Sequence, residues 1–307
     1  MRSCRSVLAL GILAVCLGAS VAAADPGAAA KPDAEKTYSL RYRFQAGETL
    51  RWNVVNRCEI RTTVAGSHQT ADTTTASVKL WRVLEVKPDG TATFEHVVES
   101  VDMRHRLTGR DEVCYDSRKG THVPPGFEDV ARAVGVPLTR VTIDRCGKVL
   151  ERKQNPVKAA VAGHGEITIR LPEQPVAVGQ EWSQPNTIEV PIPGGGFRRI
   201  QALQAFRLES VRTGVAAIRM VTQILTPIHD PALESQLIQY ETAGTVRFDV
   251  DAGRILGREA EVDKGTVGFR GEASSIHYLA RSTEEFLSVE TTPRSPPPAN
   301  QVTVRTD

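Results

Sequence analysis

The sequence predicts an all-β fold with minor α content: long antiparallel strands in a curved sheet or half-barrel, built from two similar β-meanders. Three observations predict it. Apolar and polar residues alternate at period 2 over long runs, segments with helical period are few, and a set of glycine-centred turns occurs twice in the same order. The chain has 307 residues, 40% of them hydrophobic, which is enough to build a substantial core.

Residues 1–24 have the order of an export signal. Arg2 and Arg5 give a positive start, Val7 to Leu17 an apolar stretch too short to span a bilayer comfortably, and Ala22–Ala24 the small residues before Asp25. Cleavage near Ala24 places the chain in the periplasm or outside the cell. An uncleaved anchor and a lipoprotein modified at Cys16 are the competing readings, the latter disfavoured by the bulk of Val15. Residues 25–36, "DPGAAAKPDAEK", read as a flexible leader, and residues 290–307 as a disordered Pro-rich tail. No later run approaches the length of a membrane-spanning helix, so none is expected in the mature chain.

Between leader and tail the alternation is strong. In "LRWNVVNRCEIRTTV", Leu50, Trp52, Val54, Cys58 and Ile60 share one face, while Arg51, Arg57, Glu59 and Arg61 share the other. Such a strand spans roughly 50 Å at about 3.3 Å per residue. The style repeats through Ile200, Ala202, Phe206 and Leu208, and again through Ala216, Ile218, Met220 and Ile224. A short helix is expected at 124–135: prolines precede it, acidic residues open it, Gly135 closes it, and Phe127, Val130 and Val134 lie on one face. "NPVKAAVAG" from Asn155 is a second helical candidate.

The repeated landmarks divide the folded part into a first half, 37–170, and a second, 171–289. "QAGETLRW" matches "AVGQEW", each a tight turn entering a strand. "LEVKPDGTATF" matches "LESVRTGVAAI", each a hairpin. "IDRCGKVLERK" matches "FDVDAGRILGRE". Glycine fits each turn because it adopts positive φ at little cost.

Charge is nearly balanced, with 38 basic and 36 acidic residues, so no footprint for nucleic acid is present. Export leaves Cys58, Cys114 and Cys146, which allow at most one internal disulfide; no CxxC spacing marks a zinc site. "DVDAG" at Asp249 starts like a calcium loop, but the sixth position is Arg254 and the twelfth is Ala260, so ligand counting favours a hairpin turn. His96 and His105 sit at odd separation and are expected on opposite faces of one strand. "AGHGE" at Ala162 and "PGGGF" at Pro193 read as loops, and no nucleophile elbow is present. No catalytic residue, metal site or cofactor is assigned, and the chain is expected not to be an enzyme.

At "YSLRYRFQAGETLRWNVV", "LPEQPVAVGQEW" and "FDVDAGRILGREAEV" the chain resembles a family of exported bacterial proteins of unknown function, common in planctomycete-type genomes. The resemblance brings no activity and no catalytic residue. Its long curved sheet is similar in style to the lipoprotein-localisation-factor-like half-barrels, which carry a lipid in their concavity; that is an analogy of fold. The expected function is a non-catalytic exported protein that binds an apolar small molecule or lipid on the concave face of its sheet, with Trp52, Trp81 and Trp182 lining the site. The alternative is a structural or protein-interaction module of the cell envelope.

Overall fold

The computed structural model describes residues 36–120, 122–155, 167–192 and 194–291. The expected export signal, nearly all of the leader, the helical candidate after Asn155, the His164 loop and nearly all of the tail lie outside these residues.

In chain order the elements are β1 (Thr37–Tyr38), β2 (Glu48–Val64), β3 (Ser67–Val86), β4 (Ala92–Leu107) and β5 (Val113–Asp116). Then come α1 (Glu128–Ala133), β6 (Pro137–Ile143), β7 (Val149–Gln154), β8 (Val176–Ala177) and β9 (Glu181–Pro191). The remaining described elements are β10 (Phe197–Arg212), β11 (Val215–Ile224), α2 (Pro231–Leu237) with a further turn over Ile238–Tyr240, β12 (Ala243–Asp249), β13 (Arg254–Val267) and β14 (Ser274–Thr291).

One twelve-stranded sheet runs β7-β6-β4-β3-β2-β14-β13-β12-β11-β10-β9, with β5 beside β4. It does not close: β7 and β9 are its edges. The expectation of long antiparallel strands in a curved sheet is met. Most neighbours in sequence pair as hairpins, β4 pairs β6 across β5 and α1, and the sheet is joined end to end by β2 against β14, where Val64 faces Ser274 and Glu48 faces Thr291.

Alternation explains the strands. Leu50 and Trp52 are buried while Arg51 and Asn53 are only half-buried, and the same rhythm buries Ile200, Ala202, Phe206 and Leu208 on β10. Curvature has a local cause as well. Register shifts fall at Phe286/Ser288, Val83/Glu85, Val78/Lys79, Leu208/Ser210 and Arg247/Phe248. Each such bulge bends its strand and raises the local twist. They gather near one end of the sheet, and there the inner face curls around a core containing Leu50, Trp52, Trp81, Phe94, Phe206 and Phe248.

Two lead-in segments fill that core. Leu40 and Tyr42 precede β2, Ile169 and Leu171 precede β9, and all four are buried. Fully burying each such side chain stabilises the fold by roughly 1.5–3 kcal/mol. The segments are joined to each other by β1 and β8, and to the turns after β6 and β12 by backbone bonds. Tyr42 N–H donates to Arg145 O at 2.8 Å, Arg43 N–H to Gly253 O at 3.0 Å, and Leu171 N–H to Cys146 O at 2.8 Å.

The repeated landmarks take matching conformations. Gln45 N–H donates to the Glu48 side chain and Ala177 N–H to the Gln180 side chain, both at 2.8 Å. In the third landmark, Asp144 Oδ1 accepts from Cys146 N and Lys148 N, and Asp249 Oδ1 accepts from Asp251 N and Ala252 N. Both aspartates are therefore used to tie turns, which is the hairpin reading of the "DVDAG" stretch. Gly147 and Gly253 follow at φ of +81° and +65°, pressed against the lead-in segments.

The helix expected at 124–135 forms over Glu128–Ala133, and its Phe127, Val130 and Val134 pack with Val101 and Tyr115. The second helix, α2, was not anticipated. Its signal was present: Asp230 caps Ala232 N at 2.9 Å, Pro231 opens the first turn and Glu234 follows.

Candidate functional site

The long strands run on beyond the filled core. On the inner face of this far half, β2 presents Val54, Cys58 and Ile60, and β14 presents Ile276, Tyr278 and Ala280; all are half-buried. They face one another in register, Cys58 against Ala280 and Ile60 against Tyr278. Burial, and then the Cys58 thiol, push the Tyr278 phenol well above its usual range. The trough is flanked by two caps. One is α1 over Val101 and Tyr115. The other is α2, whose Leu233 and Leu237 pack on Ile188, Val190, Ile200 and Ala202. The cap also reaches β13, where Thr266 Oγ1 donates to Glu234 Oε2 at 2.8 Å and Lys264 pairs with Glu241. At the far end Ile60, Thr62, Gln69, Ala71 and Leu107 line a cleft of about 310 Å³ that Arg110 borders.

Charged side chains mark the boundary between core and trough. Lys79 on β3 points inward, with Nζ 5.1 Å from the Trp52 ring centre and 5.3 Å from that of Trp81. It donates to Glu284 Oε1 on β14 at 2.5 Å, and both side chains are largely buried, 14% and 13% exposed. Glu284 lies opposite Arg258 of β13 in the ladder. Burial lowers the Lys79 ammonium below its ordinary pKa; Glu284 opposes that shift and Arg258 adds to it. His96 is pulled down to about 3 by burial, then by Lys79 and Arg152, so it is neutral at ordinary pH.

His96 and His105 share this inner face, contrary to the expectation that they oppose. The ladder skips Glu99: Val78 faces Ser100 while Lys79 faces Val98. That extra residue shifts the phase of the alternation by one. His105 then meets Thr73 at 2.9 Å on the trough side.

The tryptophans have separate placements. Trp52 and Trp81 are 0% and 1% exposed, with ring centres 4.6 Å apart, and Trp81 stacks on Phe94 at 4.6 Å. Trp52 Nε1 donates across the core to Ile255 O at 3.0 Å, while Trp81 Nε1 is buried without a partner. Trp182 lies on edge strand β9, half-buried, stacked on Phe206 and donating to Arg170 O at 2.8 Å. The structure thus puts Trp52 and Trp81 together within the filled core, beside Lys79, and Trp182 at the rim of the same core. Sequence reasoning missed Lys79 and Glu284. A lysine on the face that also carries Trp81 and Val83, and a glutamate on the face that also carries Ala280 and Phe286, were the available signal.

The outer face differs. Arg57, Glu59, Asp72, Glu261, Asp263 and Arg281 border a groove of about 490 Å³. Ladders such as Arg281–Glu259, Arg106–Asp72 and Arg247–Glu285 balance the charges there. Cys58, Cys114 and Cys146 are all free thiols, so no disulfide forms among the described residues. No helix among them is long and apolar enough to cross a membrane.

The fold and site define an open antiparallel half-barrel with a filled end and a partly capped trough. A scan against protein-family models and a search of curated proteins returned no match, so the resemblance to a planctomycete-type family gains no support there. Solved structures with similarity include the lipovitellin of "Lipid-protein interactions in lipovitellin" at 12% identity and a TM-score of 0.46, covering 83% of this chain and 26% of that one. This chain therefore spans about a quarter of the lipovitellin chain it matches. DynF from the dynemicin biosynthesis pathway of Micromonospora chersina follows at 7% identity and 0.21, covering 85% and 90%. A DUF1329 family protein from Desulfovibrio piger stands at 10% and 0.15, covering 82% and 88%. Scores this low carry no functional argument.

Proposed function

We propose that the protein binds an apolar or lipid-like ligand in the far half of its concave face and performs no covalent chemistry on it. The observation that carries this reading is the facing row of half-buried Cys58, Ile60, Ile276, Tyr278 and Ala280, none of which belongs to the core that the lead-in segments fill. Apolar surface of this kind, held between caps rather than sealed into the core, gains free energy when an apolar molecule displaces water from it. The reading includes export, on the strength of the charged, apolar and small-residue order of residues 1–24. Native mass spectrometry of gently purified protein should show a bound small molecule. Its removal by organic extraction should speed labelling of Cys58 by a thiol reagent. Ligand-free protein with Cys58 labelling unchanged by added amphiphiles would overturn the reading. The alternative, an interaction module of the envelope, draws on edge strands such as β7 and β9, the ends of the sheet's path. Crosslinking in cells separates the two, since a module of that kind gives a stable protein partner.

A further inference from the structure

Resting on the reading of the trough as an apolar ligand site, we propose that its occupant is a single-chain amphiphile with a carboxylate head. The head sits at Lys79 and the chain lies along the β2–β14 seam.

Charge gives the sign of the head. Lys79, Arg152 and Arg258 are on the inner face by register, opposite Trp52, Val141 and Glu284 respectively. Glu284 bonds Lys79 and lies opposite Arg258, while Arg152 stands on the exposed edge strand β7. His96 adds no charge, because burial, then Lys79 and Arg152, keep it neutral. Lys79 and Arg258 thus flank one carboxylate at this end, and low-dielectric walls strengthen their pull on an anion.

Donor chemistry gives the type of head. The Lys79 ammonium has three N–H donors and gives one to Glu284. Trp81, against which Lys79 packs, holds a buried indole N–H with no partner. Both spare groups are donors, and a carboxylate only accepts. A hydroxyl head satisfies them less well, and a quaternary ammonium meets repulsion.

Register gives the direction of the chain. From Glu284 to Ile276 the inner positions of β14 are Ser282, Ala280, Tyr278 and Ile276. They extend over roughly 26 Å at about 3.3 Å per residue. Beyond the Ser282–Asn56 pair, bonded at 2.6 Å, the row is apolar and leads away from the charged boundary, so the head lies at the Lys79 end.

The test uses the full chain, freed of ligand, with decanoate, decanol and decyltrimethylammonium titrated by calorimetry. Decanoate is expected to bind at least about tenfold more tightly than decanol, and the cation most weakly, since a charge-assisted hydrogen bond is worth that factor or more. Lys79→Met should bring decanoate down to the decanol level and leave decanol unchanged. If decanoate and decanol bind equally, the carboxylate head is wrong and the apolar trough stands. If none of the three binds, the trough reading fails as well. If decanoate is preferred but Lys79→Met folds and keeps the preference, the head does not sit at Lys79. Should that variant fail to fold, the head-group comparison on the unmodified protein still decides the sign.

Discussion

Replacing Gly147 by alanine tests whether the lead-in segments hold the filled end of the sheet. Gly147 has φ of +81°, and a Cβ there would lie 2.4 Å from Ile169 O and 2.7 Å from the Tyr42 ring. The positive φ alone costs an alanine roughly 1–2 kcal/mol. Moving a backbone carbonyl and a packed ring adds about 1–3 kcal/mol, for a total of roughly 2–5 kcal/mol against a typical whole-domain stability of about 5–15 kcal/mol. Gly66 supplies the control. Its φ is +80°, and nothing lies within 4 Å of the added Cβ. Both changes lower the unfolded-state entropy alike, so the gap between them isolates the steric contribution. In urea titrations followed by tryptophan fluorescence, Gly147→Ala should fall below Gly66→Ala by about 1–3 kcal/mol. Gly253→Ala should behave like Gly147→Ala, since its Cβ would lie 2.6 Å from Arg43 N and 2.7 Å from Arg41 O. Equal losses at Gly147 and Gly66 would refute the docking of Tyr42 and Ile169 on this turn.

Other expectations follow from the same contacts. The Tyr42 hydroxyl accepts from Ile169 N at 3.1 Å and donates to Ile169 O at 3.3 Å, so Tyr42→Phe should cost about 1–3 kcal/mol in the same titration by leaving a buried N–H unpaired. The pKa of His96 is lowered in the fold to about 3, so the unfolded chain binds a proton that the folded one refuses. Stability from this group is complete above pH 6.5 and should fall by about 1.4 kcal/mol per pH unit below it until near pH 3. Urea midpoints between pH 7 and 5 would show that slope, and His96→Asn should flatten it; an unchanged slope in the variant would place its origin elsewhere. Cys114 is exposed and Cys146 buried, so a thiol reagent should modify Cys114 in the native protein and Cys146 only on unfolding. Equal rates would mean that the lead-in segment around Pro172 leaves Cys146 open.

Much of the fold was legible in the chain. The period-2 runs at Leu50, Ile200 and Ala216 are strands, and Phe127, Val130 and Val134 pack together, although the helix covers only Glu128–Ala133 between its caps Phe127 and Val134. The site was less legible. Trp52 and Trp81 stand out as large aromatic residues and lie in the filled end, while Lys79 and Glu284 at the boundary show in the chain only as single charges on inward faces. Alternation predicts a face only as long as its phase is kept. The skipped Glu99 reverses the phase on β4, so His96 and His105 end up together although their spacing is odd.

What the sequence determined by itself is local: which residues alternate, where glycine must turn the chain, and which aspartates tie those turns. These follow from backbone sterics and side-chain period, which act over a few residues. What only the tertiary structure decided is non-local. The β2–β14 seam joins residues more than two hundred positions apart, the lead-in segments fill one end of the curl, and Lys79 finds Glu284. No local preference specifies such meetings, because they depend on how bulges sum into curvature and on which buried surface is left once the core has closed.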